Sequence, residues 1–332
     1  GTFNNLLETY LNMSKNYWVI DTDAGVDDCQ AMVLGISAMH RELIDIVGIT
    51  AVAGNVGLPQ ALINIAQTLK SCGEENLPFY PGAVSPLVAP LKVAASIHGE
   101  DGLNNYWKLN GKSKEGLPSP QEKHAAQAII DLANEYRGEL SITTIGPLTN
   151  LALAVSLDPS LPSKLKRVLV MGGAVHALGN TSFVAEFNIK SDPEAAHIVF
   201  QKFPRIEVLP WETCIAAEHQ FSYEFLEQYL SRASDKGVFI KEITKVEEGK
   251  SSVFFCDPLT LCVAVDETVA KRVEEREGHV ELTGTLTRGM TVVNWGCSDE
   301  KEVNEGTGVR NLRIIEALDM QKVQELFLQS VI

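Results

Sequence analysis

The sequence has no CxxC pair and no dense cysteine framework; its six cysteines, at 29, 72, 214, 256, 262 and 297, are scattered over 332 residues. That spacing excludes a zinc knuckle, a thioredoxin-type redox pair and a disulfide scaffold. Several lie in apolar runs, such as Leu261-Cys262-Val263-Ala264, and read as reduced thiols of a cytoplasmic protein. No apolar run approaches the ~18 residues of a bilayer span, so no membrane partner is expected. The N-terminus lacks the basic stretch and apolar core of a secretory leader. Residues 1–12 precede a natural-looking start at Met13-Ser14-Lys15 and read as an appended or disordered segment. On a secreted chain Asn180-Thr181-Ser182 would be a glycosylation sequon, a reading that the cysteine usage disfavours. Positive charge is also scarce: 28 Lys and Arg stand against 43 Asp and Glu, a net −15. A nucleic-acid polymer needs a basic surface and is excluded as a partner; a small ligand without phosphate is not. Phosphate loops are missing too. Gly111-Lys112-Ser113 resembles the end of a P-loop, but Tyr106 stands where that loop needs Gly, and no GxGxxG follows the first strand.

What is present is an alternation of β-rich runs and amphipathic stretches, which predicts an α/β fold with a mainly parallel central sheet flanked by helices. Strands are expected at Tyr17–Ile20, Ile44–Ala51, Leu140–Ile145, Val168–Met171, Ile206–Leu209, Val280–Leu286 and Asn311–Ile315. Helices are expected from about Asp27, over Leu58–Ser71 and Leu148–Leu157, after the Asp192-Pro193-Glu194 start, and at the C-terminus. Residues 81–121 read as a loop region, and 221–255 as helices and connections with a charged stretch at Lys241–Lys250. There is no repeat, linker or composition break, so residues 13–332 are taken as one domain.

The most informative segment is Asp21-Thr22-Asp23-Ala24-Gly25-Val26-Asp27-Asp28, four carboxylates in eight residues between a buried strand and a helix. Like charges so crowded repel unless a cation is present. In a parallel sheet this turn lies at a strand's carboxyl end, where ligands bind. Gly25 would permit a tight or left-handed turn. Asp27 and Asp28 would diverge by about 100° on a helix, so one can hold a metal while the other takes a second role. Helix capping explains one or two of these residues, not four. With no His/Cys set nearby, the chemistry favours a hard cation, Ca²⁺ or Mg²⁺.

The DTDxGxDD segment resembles the signature of the nucleoside hydrolases, the inosine–uridine-preferring nucleoside N-ribohydrolase family. Further stretches match in order: Gly54-Asn55-Val56, His98-Gly99-Glu100-Asp101-Gly102-Leu103, Gly146-Pro147-Leu148-Thr149-Asn150, Met171-Gly172-Gly173-Ala174, Ala185-Glu186-Phe187-Asn188, Asp192-Pro193-Glu194-Ala195-Ala196 and Asp257-Pro258-Leu259. The resemblance implies a single α/β domain, bound Ca²⁺, homodimers or homotetramers, and hydrolysis of ribonucleosides to base and ribose in nucleoside metabolism and purine salvage. It implies that Asp23, Asp28, Asp257 and the Ile145 carbonyl hold Ca²⁺, with Asp23 also the base that deprotonates water. Asp27, Asn55 and Asn188 would hold the ribose hydroxyls, with Asn180 and Glu186 at the 5′ end and Met171 against the sugar. Asp21 would support the cluster from behind, and His98 would lie near the base.

Each role has a plainer competitor. Asp257 serves equally as an N-cap before Pro258, Asn55 as a turn residue, Met171 as core filler and His98 as a surface histidine. Glu186 and Asn188, two apart in what reads as an extended segment, share one face; a solvated edge strand gives the same pattern. Known members carry His before the last metal-binding Asp, where this chain has Cys256, a poor acid near neutral pH. Two rivals follow: a binding protein that has lost turnover, and a phosphohydrolase of the haloacid dehalogenase type. The second wants Thr or Val where Gly25 stands.

Overall fold

The structure is a computed structural model that describes residues 16–245, 252–296 and 309–332. The segment 1–12, Cys297 and residues 246–250 of the charged stretch lie outside them. In chain order the principal elements are β1 (Tyr17–Thr22), α1 (Val26–His40), β2 (Asp45–Ala51), α2 (Leu58–Cys72), β3 (Phe79–Pro81), α3 (Ala125–Glu135), β4 (Leu140–Thr144), α4 (Thr149–Leu157), β5 (Leu165–Met171), α5 (Phe187–Ser191), α6 (Pro193–Lys202), β6 (Ile206–Leu209), α7 (Trp211–Ile215), α8 (Asp257–Val265), β7 (Ala270–Arg276), β8 (Leu312–Leu318) and α9 (Met320–Ser330). The eight strands form one sheet in the order β3-β2-β1-β4-β5-β6-β8-β7. All neighbours are parallel except β8 and β7.

Strand residues alternate between two apolar cores, as a period of two requires. Trp18, Ile20, Leu169 and Met171 enter one with α1, α2, α8 and α9. Val19, Ile142, Val168 and Val170 enter the other with α3, α4 and α6. Helix α1 is buried from Asp28 to Ala38, so the Asp28 carboxylate enters the interior with it, while Asp27 just before it is half-buried. β1 has β2 on one side and β4 on the other, and the chain order reverses there. That switch point opens a crevice beyond the carboxyl ends of β1 and β4, where open α/β sheets bind ligands.

Two strand expectations need correction. Of the expected strand Val280–Leu286 only Val280 is extended, as the last residue of Gly278–Val280, which pairs with Thr291–Val293. The rest turns because Glu281 Oε1 accepts the Thr283 and Gly284 amides at 2.6 and 2.9 Å. The edge strand β7 was not anticipated; its sequence AKRVEER is charged as edge strands are, which erases the apolar signal. Within 81–121 the chain is irregular apart from short elements, including Ala95–His98 and Tyr106–Leu109.

Candidate active site

The acidic turn sits where β1 ends. Gly25 is the N-cap of α1 with φ −77°, and the left-handed residue is Ala24, φ 51°. The glycine therefore serves close approach, not handedness: a Cβ on it would lie 2.6 Å from Asn55 Nδ2 and 3.0 Å from His98 Nδ1. A left-handed alanine costs roughly 1–2 kcal/mol. It is held by the Thr22 hydroxyl, which accepts the Ala24 amide at 3.0 Å, and by Asn64 Nδ2, which donates to the Ala24 carbonyl at 3.0 Å.

This turn gathers the carboxylates. Asp28, the third helical residue, accepts from Thr22 Oγ1 (2.6 Å) and the Gly25 amide (2.9 Å). Asn55, delivered after β2, donates from its backbone to Asp23 Oδ2 (2.6 Å) and from its side chain to Asp23 Oδ1 (3.1 Å) and Asp28 Oδ2 (3.0 Å). Gly54 makes room, since a Cβ there would lie 2.1 Å from Asp23 Oδ2. Behind them Asp21 Oδ1 accepts from Thr50 Oγ1 (2.6 Å) and Asn150 Nδ2 (2.7 Å), while its Oδ2 is buried without a hydrogen-bond partner. Asp257 arrives from the opposite side as the first residue of α8. Cys256, not Asp257, is the N-cap, which corrects the capping alternative and leaves the Asp257 carboxylate for the cluster.

Among the described residues no lysine or arginine forms an ion pair with Asp21, Asp23, Asp27, Asp28 or Asp257; the nearest cationic candidate is His98, whose Nδ1 is 4.0 Å from Asp27 Oδ1. Burial therefore raises the proton affinity of Asp21, Asp23, Asp27 and Asp257. Burial pushes Asp21 up to about 7. Burial and the neighbouring aspartates raise Asp23 and Asp257 well above the usual carboxylate range, and burial raises Asp27. One oxygen from each of Asp27, Asp28 and Asp257 falls within a 4.8 Å spread. A cation with ~2.4 Å bonds to oxygen reaches donors up to ~4.8 Å apart. The donors are all oxygen and the charge is uncompensated, so the residues fit a hard divalent cation. Of the expected ligands, Asp28 and Asp257 are in this group, Asp27 joins them, and Asp23 lies alongside, tied to Asn55. The Ile145 carbonyl, at the end of β4, accepts Asn188 Nδ2 at 3.1 Å.

The second rim follows β5. Asn188 Nδ2 also donates to the Met171 carbonyl (3.1 Å) and faces its sulfur (3.5 Å), so Met171, although buried, borders the site. Glu186 and Asn188 are not on an extended segment. Glu186 caps α5, its carboxylate accepting the amides of Gly173 (2.8 Å), Asn188 (2.8 Å) and Ile189 (3.2 Å). Those donors reshape the segment into a helix start and bring both side chains to the crevice. Burial raises the Glu186 proton affinity, opposed by these amides. Asn180 stands apart, exposed in the loop between β5 and α5.

His98 is not a free surface histidine. Its Nδ1 accepts the Val26 amide at 3.2 Å, which assigns a neutral ring's proton to Nε2. Contact with the Cys214 thiol, then burial, raises the Cys256 thiol well above its usual range. Sequence reasoning missed the supporting donors Thr50 and Asn64, for which it holds no local signal. Thr22 and Asn150 lay inside the matched motifs.

With this geometry in view, comparison with known proteins is direct. A family model described as inosine-uridine preferring nucleoside hydrolase matches residues 18–325. The chain is 31% identical over 323 residues to the probable uridine nucleosidase 1 of Oryza sativa subsp. japonica, covering 92% of this chain and 93% of that one. It is 33% identical over 285 residues to the inosine-uridine preferring nucleoside hydrolase of Leishmania major, covering 83% and 87%. Among solved structures, the plant nucleoside hydrolase PpNRh1 matches with a TM-score of 0.83 at 28% identity, over 95% of this chain and 98% of that one. The fold, the acidic switch-point crevice and these matches together place the chain in the inosine-uridine preferring nucleoside hydrolase family, enzymes that hydrolyse nucleosides.

Proposed function

We propose that this enzyme cleaves the N-glycosidic bond of ribonucleosides with Ca²⁺ bound at the acidic crevice. The observation that carries this is the buried group of aspartates at the switch point with no lysine or arginine paired to it among the described residues. In this reading Asp23, Asp28, Asp257 and the Ile145 carbonyl hold the ion, which, when bound, supplies positive charge to orient a water and the sugar diol. Asp27, Asn55 and Asn188 take the ribose hydroxyls, Met171 lies against the sugar, Asn180 and Glu186 serve its 5′ end, and Asp21 backs the cluster. Glu186 would meet the sugar with the acceptor capacity left after three backbone amides.

Water attacks C1′ and gives a proton to the Asp23 carboxylate; the C1′–N bond breaks and its electron pair leaves with the base. Positive charge grows on the ribose, so surrounding carboxylates stabilise the transition state, as in other glycoside hydrolyses. The departing base nitrogen needs a proton. Cys256, neutral and held against Cys214, suits that role poorly, and His98 is the better-placed donor. Homodimeric or homotetrameric assembly belongs to the same reading, and the free, buried described cysteines support a cytoplasmic setting.

The test is a panel of purine and pyrimidine ribonucleosides with Ca²⁺, measuring free ribose and free base. Equal amounts of both, without added phosphate, are expected. No ribose from any nucleoside at high enzyme concentration refutes the proposal.

A further inference from the structure

The loop between β5 and α5 is fixed by a residue outside the matched motifs. Glu212, in the first turn of α7, accepts three backbone amides with one carboxylate: Val175 on Oε2 at 3.1 Å, and His176 and Leu178 on Oε1 at 2.8 and 3.3 Å. The preceding Trp211 amide donates to the Gly173 carbonyl at 2.9 Å. The start of α7 therefore clamps residues 173–178 from one side. From the other end, the amides of Asn180, Thr181 and Ser182 converge on the Ala185 carbonyl at 3.2 to 3.4 Å, immediately before Glu186. Asn180 lies between these two anchors, on a stretch, His176 to Val184, whose residues are all exposed or half-buried. Such a loop carries few apolar contacts to hold its shape, so the position of Asn180 depends on hydrogen bonds at its ends.

We propose that Glu212 is the positioning residue for recognition of the sugar's 5′ end: its carboxylate sets the 175–178 turn and, through it, the approach of Asn180 to the 5′-hydroxyl. The proposal rests on the nucleosidase reading given above. Trp295 Nε1 donates to the Val175 carbonyl at 3.0 Å, and the Trp295 ring stacks on His176 with centroids 4.6 Å apart. Removing Glu212 should therefore loosen the loop without unfolding the domain. Glu212→Gln keeps one acceptor oxygen and should retain part of the function.

The experiment compares kinetics on inosine and 5′-deoxyinosine with Ca²⁺ for the wild type, Glu212→Ala and Glu212→Gln, with thermal melts alongside. The wild type should prefer inosine. Glu212→Ala should raise KM for inosine about tenfold, the scale of one lost hydrogen bond, with kcat within a few-fold and little change on 5′-deoxyinosine; Glu212→Gln should fall between. Equal losses on both substrates assign Glu212 a merely structural role and overturn the proposal, as does no change on either. A wild type indifferent to the 5′-hydroxyl overturns it while leaving nucleoside hydrolysis standing. Absence of free hypoxanthine from both substrates, and of ribose from the full nucleoside panel, removes hydrolysis and the proposal together.

Discussion

Two buried acidic sites occupy opposite ends of one sheet, and they are balanced in opposite ways. Near the amino ends of the strands, Glu207 on β6 lies between Arg167 on β5 and Arg313 on β8. Arg167 approaches through Nε at 2.7 Å and Nη2 at 3.2 Å, Arg313 through Nη1 at 2.5 Å. Burial alone would raise Glu207, but the Arg167 hydrogen bonds and charge, followed by Arg313, hold it below the usual carboxylate range. At the carboxyl ends, Asp23 and Asp257 are as deeply buried, meet other aspartates instead of arginines, and are raised. This chain thus pairs a buried carboxylate with guanidinium where the role is structural. Where it leaves carboxylates uncompensated, the charge is arranged for something that binds.

The largest effect should come from Asp257→Asn, which removes one carboxylate of the metal cluster: kcat/KM with Ca²⁺ should fall on the order of 10³-fold or more, ~4 kcal/mol of transition-state stabilisation. Retention of most activity would break the contrast at once. Next is Glu207→Gln, which leaves two partly buried arginines short of a charge, although Arg167 keeps Glu267 at 2.9 Å. It should destabilise the fold by about 1–3 kcal/mol with kcat/KM on folded enzyme little changed. Its pH signature has a definite sign. A carboxylate held low contributes stability that is present above its unfolded value and lost as pH falls through the folded one. The wild type should therefore lose stability below about pH 4.5, and Glu207→Gln should flatten that limb in a Tm-against-pH series. Identical acid limbs would remove Glu207 from the account. The smallest effect is on metal-free Asp257→Asn, where relief of repulsion should raise Tm by about 2 °C. A fall as large as that of Glu207→Gln would equate the two sites.

Legibility in the sequence follows the same division. The acidic turn was readable because local crowding is its signal: no cap needs four carboxylates in eight residues. The parallel sheet was readable because fully buried strands leave apolar runs, and β7 was not, because an exposed edge leaves charge. Glu186 and Asn188 were read on an extended segment, whereas they start a helix. A five-residue helix is too short to show a 3.6-residue period, and its cap draws a donor from Gly173, distant in sequence. Gly25 was misread for a related reason, since its need is the approach of Asn55 and His98, 30 and 73 residues on. Glu212 was invisible: its partners lie 34 to 37 residues away, and one glutamate among 43 acidic residues carries no local mark.

The central claim is that the uncompensated aspartates exist to hold a cation for nucleoside hydrolysis. Its most direct test is to strip the enzyme with chelator, verify metal content by elemental analysis, and follow ribose release and Tm as Ca²⁺ is returned. Activity should vanish in the stripped protein and return in proportion to bound Ca²⁺, with Tm rising in parallel. Full ribose release from protein shown to be metal-free would contradict the account.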